Sequence, residues 1–176
     1  MWRGGDRLPE ETPPVPKQLN WDLWLGPAPV RPYHPCYHPN WWRSWWDFGN
    51  GNLGDMGCHF LDLPFWALNL KYPLTAEAEA RGKPGRYTTP HGMISRWTFP
   101  QRGDQPPVTL TWYDGGRRPE LPRELQESLP DWPKAILFVG AEGALIAEYN
   151  EQNMSASKHE LHPKEKFADY QRPPQT

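Results

Sequence analysis

The sequence predicts an α+β fold: an open, mostly antiparallel sheet, a buried helix and a long loop rich in aromatic residues and proline. Three observations carry that expectation. The 176 residues include 11 Trp and 23 Pro but only 30 Leu, Ile, Val and Phe together. Proline at this density interrupts regular structure, and rings that each bury on the order of 150–250 Å² must supply the core that aliphatic residues do not. Residues 52–70 carry apolar residues at helical spacing. After Tyr72-Pro73 the hydrophobic period changes from 3.6 to 2.

Residues 1–20 read as an N-terminal arm or linker, because Pro9, Pro13, Pro14 and Pro16 favour extended backbone. A domain is expected over 21–150, followed by a polar tail at 151–176. It opens with an aromatic block, residues 21–49, holding Trp21, Trp24, Tyr33, Tyr37, Trp41, Trp42, Trp45, Trp46 and Phe48. The prolines between Pro27 and Pro39 make this a long ordered loop, a class of segment that commonly carries function. The helix over 52–70 follows, with Asn52 as cap and Asp55 favouring its positive end. Met56, Phe60, Leu63, Ala67 and Leu70 fall on one side and Leu61, Phe65 and Leu68 on the other, so burial nearly all round is expected. Pro64 should kink it. Strands are expected at 75–80, 92–99, 108–113, 135–140 and 144–149, the last two joined by the short loop Ala141-Glu142-Gly143. No connection holds a clear crossover helix, so the pairing should be antiparallel.

Several function classes drop out. No run of eighteen apolar residues is present, and no apolar stretch follows the first residues as in a secretory signal. Cys36 and Cys58 cannot build a disulfide scaffold. A net charge of −2 leaves no basic footprint for nucleic acid or an anionic membrane.

The sharpest chemical feature lies on the helix. Asp55, His59 and Asp62, at i, i+4 and i+7, form a polar stripe continued by Trp66. Polar groups on an apolar helix must face a cleft or a network. A histidine one turn from a carboxylate has its tautomer held, the arrangement of a general acid/base. Asp55 can equally be a first-turn cap and His59 a satisfied core histidine. A metal site from Asp55 and His59 with His34, His38 or His91 lacks any specific spacing, and no metal ligand is assigned. In the aromatic block Arg31, Tyr33 and Arg43 are candidate ligand contacts, held rigidly by Pro and Trp neighbours, with Trp45 as a stacking platform beside Trp41.

The stretch Gly49-Asn50-Gly51-Asn52-Leu53-Gly54-Asp55-Met56-Gly57-Cys58-His59 resembles the GGGxxxDxxxH signature of the Gfo/Idh/MocA oxidoreductases. The flanking segments WDLWLGPAP, RPYHPCYHPNWWRSWWDFG, HFLDLPFWAL and LTWYDGG resemble the bacterial-type C-terminal domain of that family, over roughly residues 8–148. The resemblance implies an α+β domain that supplies a substrate site and oligomer contacts beside a Rossmann domain that binds NAD or NADP. It implies His59 as acid/base at a sugar or cyclitol hydroxyl, with Asp55 as its partner or a substrate ligand. Asp62 lies beyond the signature, and Asn50 replaces its middle glycine.

The departures are as informative. No GxGxxG follows a strand, and no βαβ unit is in view, so NAD or NADP would be held only by a missing Rossmann domain and not by this chain alone. The family's Glu-Lys-Pro motif is absent, and Gly82-Lys83-Pro84 stands in the wrong context to replace it. The chain reads as truncated: a substrate domain inactive alone, whose partners are the missing Rossmann domain, a sugar-like or cyclitol-like small molecule and further copies through the sheet. Cytoplasmic location is the default, and periplasmic location would follow from an export signal on a missing upstream part. The alternative is a non-enzymatic carbohydrate-binding or interaction module built on the aromatic loop. A metal-dependent hydrolase or isomerase is a third reading.

Overall fold

The computed structural model describes residues 7–82, 85–152 and 157–174. Lys83 and Pro84, from the Gly-Lys-Pro stretch, lie outside the described residues, as do parts of the N-terminal arm and of the polar tail. The chain divides between Arg118 and Pro119 into two units.

In the first unit, Asn20 starts an unexpected short helix. Its side chain accepts a hydrogen bond from the Leu23 amide at 3.1 Å, capping α1 (Trp21–Leu25). One turn of helix puts Trp21 and Leu25 on the same side, and both enter a core completed by Cys36, Tyr37 and Trp45. Trp21 stacks on Trp24 at 4.8 Å and meets Tyr33 edge-on at 5.3 Å. Tyr37 sits edge-on to Trp45 at 4.8 Å and to Phe48 at 5.5 Å. Indole N–H groups buried in such a core need acceptors. Trp21 Nε1 donates to the Arg31 carbonyl at 2.7 Å and Trp45 Nε1 to the Cys36 carbonyl at 3.0 Å. The aromatic block is thus an ordered loop wrapped round its own rings, with a 3₁₀ turn at Trp41–Ser44. Backbone rungs tie it to a later segment: Trp46 N–H to the Tyr87 carbonyl at 3.0 Å and Thr89 N–H to the Ser44 carbonyl at 2.9 Å. Trp45 and Thr88 form an isolated antiparallel bridge between them.

Helix α2 spans Gly51–Ala67, shifted from the expected 52–70 at both ends. Asn50, not Asn52, occupies the cap position, and it makes no side-chain cap bond. The C-terminus stops early for a local reason. Asn69 takes φ +49, the Leu70 amide bonds the Phe65 carbonyl at 2.9 Å, and the Asn69 amide bonds the Trp66 carbonyl at 3.2 Å. That is a Schellman closure with Asn in the left-handed position. Arg102 Nε adds a donor to the Leu68 carbonyl at 2.8 Å. Pro64 is accommodated, buried, inside the last turns.

The expected all-round burial of α2 does not hold. Gly57 and Pro64 are buried and Leu53, Phe60, Leu61, Phe65 and Leu68 half-buried, whereas Cys58, His59, Asp62, Leu63, Trp66 and Ala67 are exposed. Phe60 and Phe65, assigned from the sequence to opposite sides, both meet the sheet beneath: Phe60 edge-on to Trp112 at 5.6 Å, Phe65 edge-on to Phe99 at 5.5 Å. A helix resting on one layer of sheet buries one stripe, and its remaining apolar residues stay in solvent.

That layer is β1 (Thr75–Ala80), β2 (Met93–Phe99) and β3 (Val108–Tyr113), antiparallel in the order β1-β2-β3. Ser95 lies opposite Trp112 and Phe99 opposite Val108, so the two ring contacts of α2 fall on one face of the sheet. The second unit has a short helix α3 (Arg123–Ser128) and a second antiparallel sheet. Its strands are β4 (Ala135–Val139), β5 (Ala144–Glu148) and β6 (His159–His162), again in chain order. The α+β expectation holds, with two three-stranded sheets in place of one. In β6, His162 is fully buried, and its Nε2 lies 3.2 Å from Glu160, which also pairs with Lys164 at 2.8 Å. Lys164 and, less strongly, His162 hold the Glu160 carboxyl below its ordinary value. Among the described residues no helix is long and apolar enough to cross a membrane.

Candidate functional site

The start of α2 is shaped by two close approaches. A Cβ on Gly49 would lie 2.8 Å from the Cα and carbonyl oxygen of Arg43, so only glycine lets the chain run against the 3₁₀ turn. Gly51 has φ +69, and a Cβ there would meet the Thr89 side chain at 2.9 Å. Asn50, between them, has φ −115 and an exposed side chain, which explains why the middle position accepts a residue other than glycine.

That packing delivers Arg43 to the helix. Arg43 Nε donates to Asp55 Oδ2 at 2.5 Å, while its guanidinium lies 4.6 Å from the Trp42 ring. Arg43 Nη1 also donates to the Asn40 carbonyl at 3.2 Å. Asp55 is thereby fixed between the aromatic block and α2, with a quarter of its side chain still accessible. His59 follows one turn later on the same helix and is exposed. The structure therefore pairs Arg43 with Asp55 and leaves His59 one helical turn further along α2. Asp62 and Trp66 continue the line toward solvent, Trp66 with 84% exposure.

The other candidates lie in the ring core or against it. Arg31 pairs with Asp47, its side chain only 9% exposed and its guanidinium 5.1 Å from the Phe48 ring and 5.5 Å from the Tyr37 ring. Tyr33 is half-buried against Trp21. Trp45 has no exposed surface, so it fills the core and presents no ring face to a ligand. Burial pushes the Cys36 thiol up to about 12 and raises Tyr37 as well, with Arg31 opposing the second effect. His34 Nδ1 accepts from the Cys36 amide at 3.1 Å, and His38 lies edge-on to Trp24 at 5.8 Å. Among the described residues no three His, Cys, Asp or Glu side chains group closely enough to hold a metal ion.

Sequence reasoning missed Asp47 and Trp42. One signal for Asp47 was available. It is the one acid between Asp22 and Asp55, in a block with two arginines, Arg31 and Arg43, and each arginine takes one carboxylate.

Residues 1–83 match an oxidoreductase family model described as the C-terminal alpha/beta domain of Gfo/Idh/MocA proteins. This stretch, just under half of the chain, is similar to a Gfo/Idh/MocA C-terminal domain. No curated protein matches the chain. The Gfo/Idh/MocA stretch contains α1, the aromatic block, α2 and β1, and with them Arg31, Tyr33, Arg43, Trp45, Asp55 and His59. β2, β3 and the second unit lie beyond the matched residues. The family is one of oxidoreductases that typically use NAD or NADP. This chain's residues do not fit such a group. Both sheets are antiparallel throughout, the GxGxxG spacing at Gly49–Gly54 follows the aromatic loop and not a strand, and the described residues form no parallel βαβ unit to cradle a pyrophosphate.

Proposed function

We propose that this chain is the substrate half of an oxidoreductase acting on a sugar or cyclitol hydroxyl. The observation that carries the reading is the Arg43–Asp55 clamp one turn before an exposed His59, inside the matched Gfo/Idh/MocA stretch. A carboxylate whose position is fixed can orient a substrate hydroxyl or the imidazole beside it. His59 takes the hydroxyl proton, and Asp55 favours the imidazolium that results. The redox step belongs to a nicotinamide-binding domain of the same family, which supplies the dinucleotide cradle that the described residues do not form.

The test is a fusion of this chain to such a domain, assayed for polyol-dependent NAD(P)⁺ reduction. His59→Ala should lower kcat by about 10²–10⁴, the usual worth of a general base, with nucleotide affinity nearly unchanged. Turnover unaltered by His59→Ala overturns the assignment. Calorimetry should show no NADH binding by the chain alone, and tight binding there would refute the division of labour.

A further inference from the structure

A cleft of about 320 Å³ opens beside the ring core, walled by Trp24, Pro27, Ala28, Trp42 and Phe48, with Asp47 as its one charged group. Its size is at the lower end of ligand clefts, roughly 300–1,000 Å³, so one ring-sized group suits it. The walls are held from behind. Trp24 is stacked on Trp21, and Trp42 carries the Arg43 guanidinium. Asp47 is anchored by the nearly buried Arg31 and remains about one-third exposed.

The charge balance selects the ligand. Three aromatic walls and a carboxylate would suit an alkylammonium if the carboxylate were unpaired. Arg31 offsets the Asp47 charge, so a cation gains little there, and an anion would meet the Asp47 carboxylate, because Arg31 does not line the cleft. A neutral polyol gains on both counts. Its C–H faces lie on the rings, and its hydroxyls donate to the acceptor positions of Asp47 that Arg31 leaves open, since an ionised carboxylate has about four.

We infer that this cleft is a glycosyl subsite for a neutral pyranose ring, contiguous with the Asp55–His59 site. The link is short: Trp42 walls the cleft, Arg43 lies on Trp42, and Arg43 grips Asp55. If the ring in the cleft belongs to the substrate, which rests on the proposed function, that substrate is a glycoside of at least two rings. Binding of the ring itself does not depend on it.

The test is titration of the full chain, followed by saturation-transfer NMR, with cellobiose, maltose and lactose against methyl glycosides of their component rings. Saturable disaccharide binding is expected, with at least one disaccharide about tenfold tighter than its methyl glycosides. Asp47→Asn and Trp42→Ala should each erase about that tenfold advantage, the scale of one hydrogen bond to a charged group. Trp42→Ala is the decisive variant if Asp47→Asn, which unpairs Arg31, fails to fold. Absence of saturable disaccharide binding overturns the inference, as does a preference that Trp42→Ala leaves within twofold, or tighter binding of tetramethylammonium than of any sugar. None of these arms reads turnover, so a failed redox assay with an intact disaccharide preference refutes the proposed function alone.

Discussion

Two aromatic-rich stretches of this protein use their rings in opposite ways. Over residues 21–48 the central rings turn inward, with only Trp41 and Trp46 exposed: Trp45 is wholly buried, Tyr37 nearly so, and the indole N–H groups of Trp21 and Trp45 find carbonyls. From α2 into the residues after it, rings divide between sides. Phe60 and Phe65 lie on the sheet, while Trp66 and Tyr72 stand 84% and 85% exposed. A long loop that curls on itself can bury rings from every direction. A helix on a single sheet layer can bury only one stripe.

The contrast predicts unequal costs for similar substitutions. Trp45→Ala should cost about 3–5 kcal/mol in urea unfolding, from cavity formation and lost contacts, and it also strips the Cys36 carbonyl of its donor. A loss below about 1 kcal/mol would mean that the loop core is not cooperative with the fold. A smaller effect should appear with pH. The Cys36 thiol stays protonated to about 12 when folded but ionises near 9 when unfolded, so above pH 9 the unfolded state binds fewer protons. Its stabilising contribution is complete below pH 9 and is lost as pH rises from there toward 12, and the raised Tyr37 acts in the same direction. The urea midpoint should fall over that window, and Cys36→Ala should flatten the fall. The smallest effect is expected at Trp66→Ser, within about 0.5 kcal/mol, as at other exposed positions. A large loss there would show that the outer side of α2 is structural after all.

Legibility followed the same division. Strands at 75–80, 92–99, 108–113, 135–140 and 144–149 were readable from period 2, and the structure places β1–β5 within a residue of each bound. β6 was not readable, because His-Glu-Leu-His carries no apolar alternation, and its place is set by pairing with β5. α1 was readable in hindsight, as Asn20 and Gly26 bracket it with a cap and a stop. The faces of α2 were misread because composition says how much of a helix is apolar, not how many layers cover it. At the candidate site, Asp55 and His59 were legible from spacing along one helix. The Arg43–Asp55 contact was not, since eleven residues intervene, Arg43 sits in a 3₁₀ turn outside the helix, and no periodicity links the two.

The backbone rungs from the aromatic block to Tyr87 and Thr89 have one further consequence. The family match ends at residue 83, before either rung partner and before the Thr89 side chain that abuts Gly51. The stretch that carries the family signature is therefore shorter than the stretch that holds the signature in shape. Inheritance and self-sufficiency have different borders here, and a fragment trimmed to the first would keep Arg43, Asp55 and His59 in its sequence while losing the backing that sets their spacing.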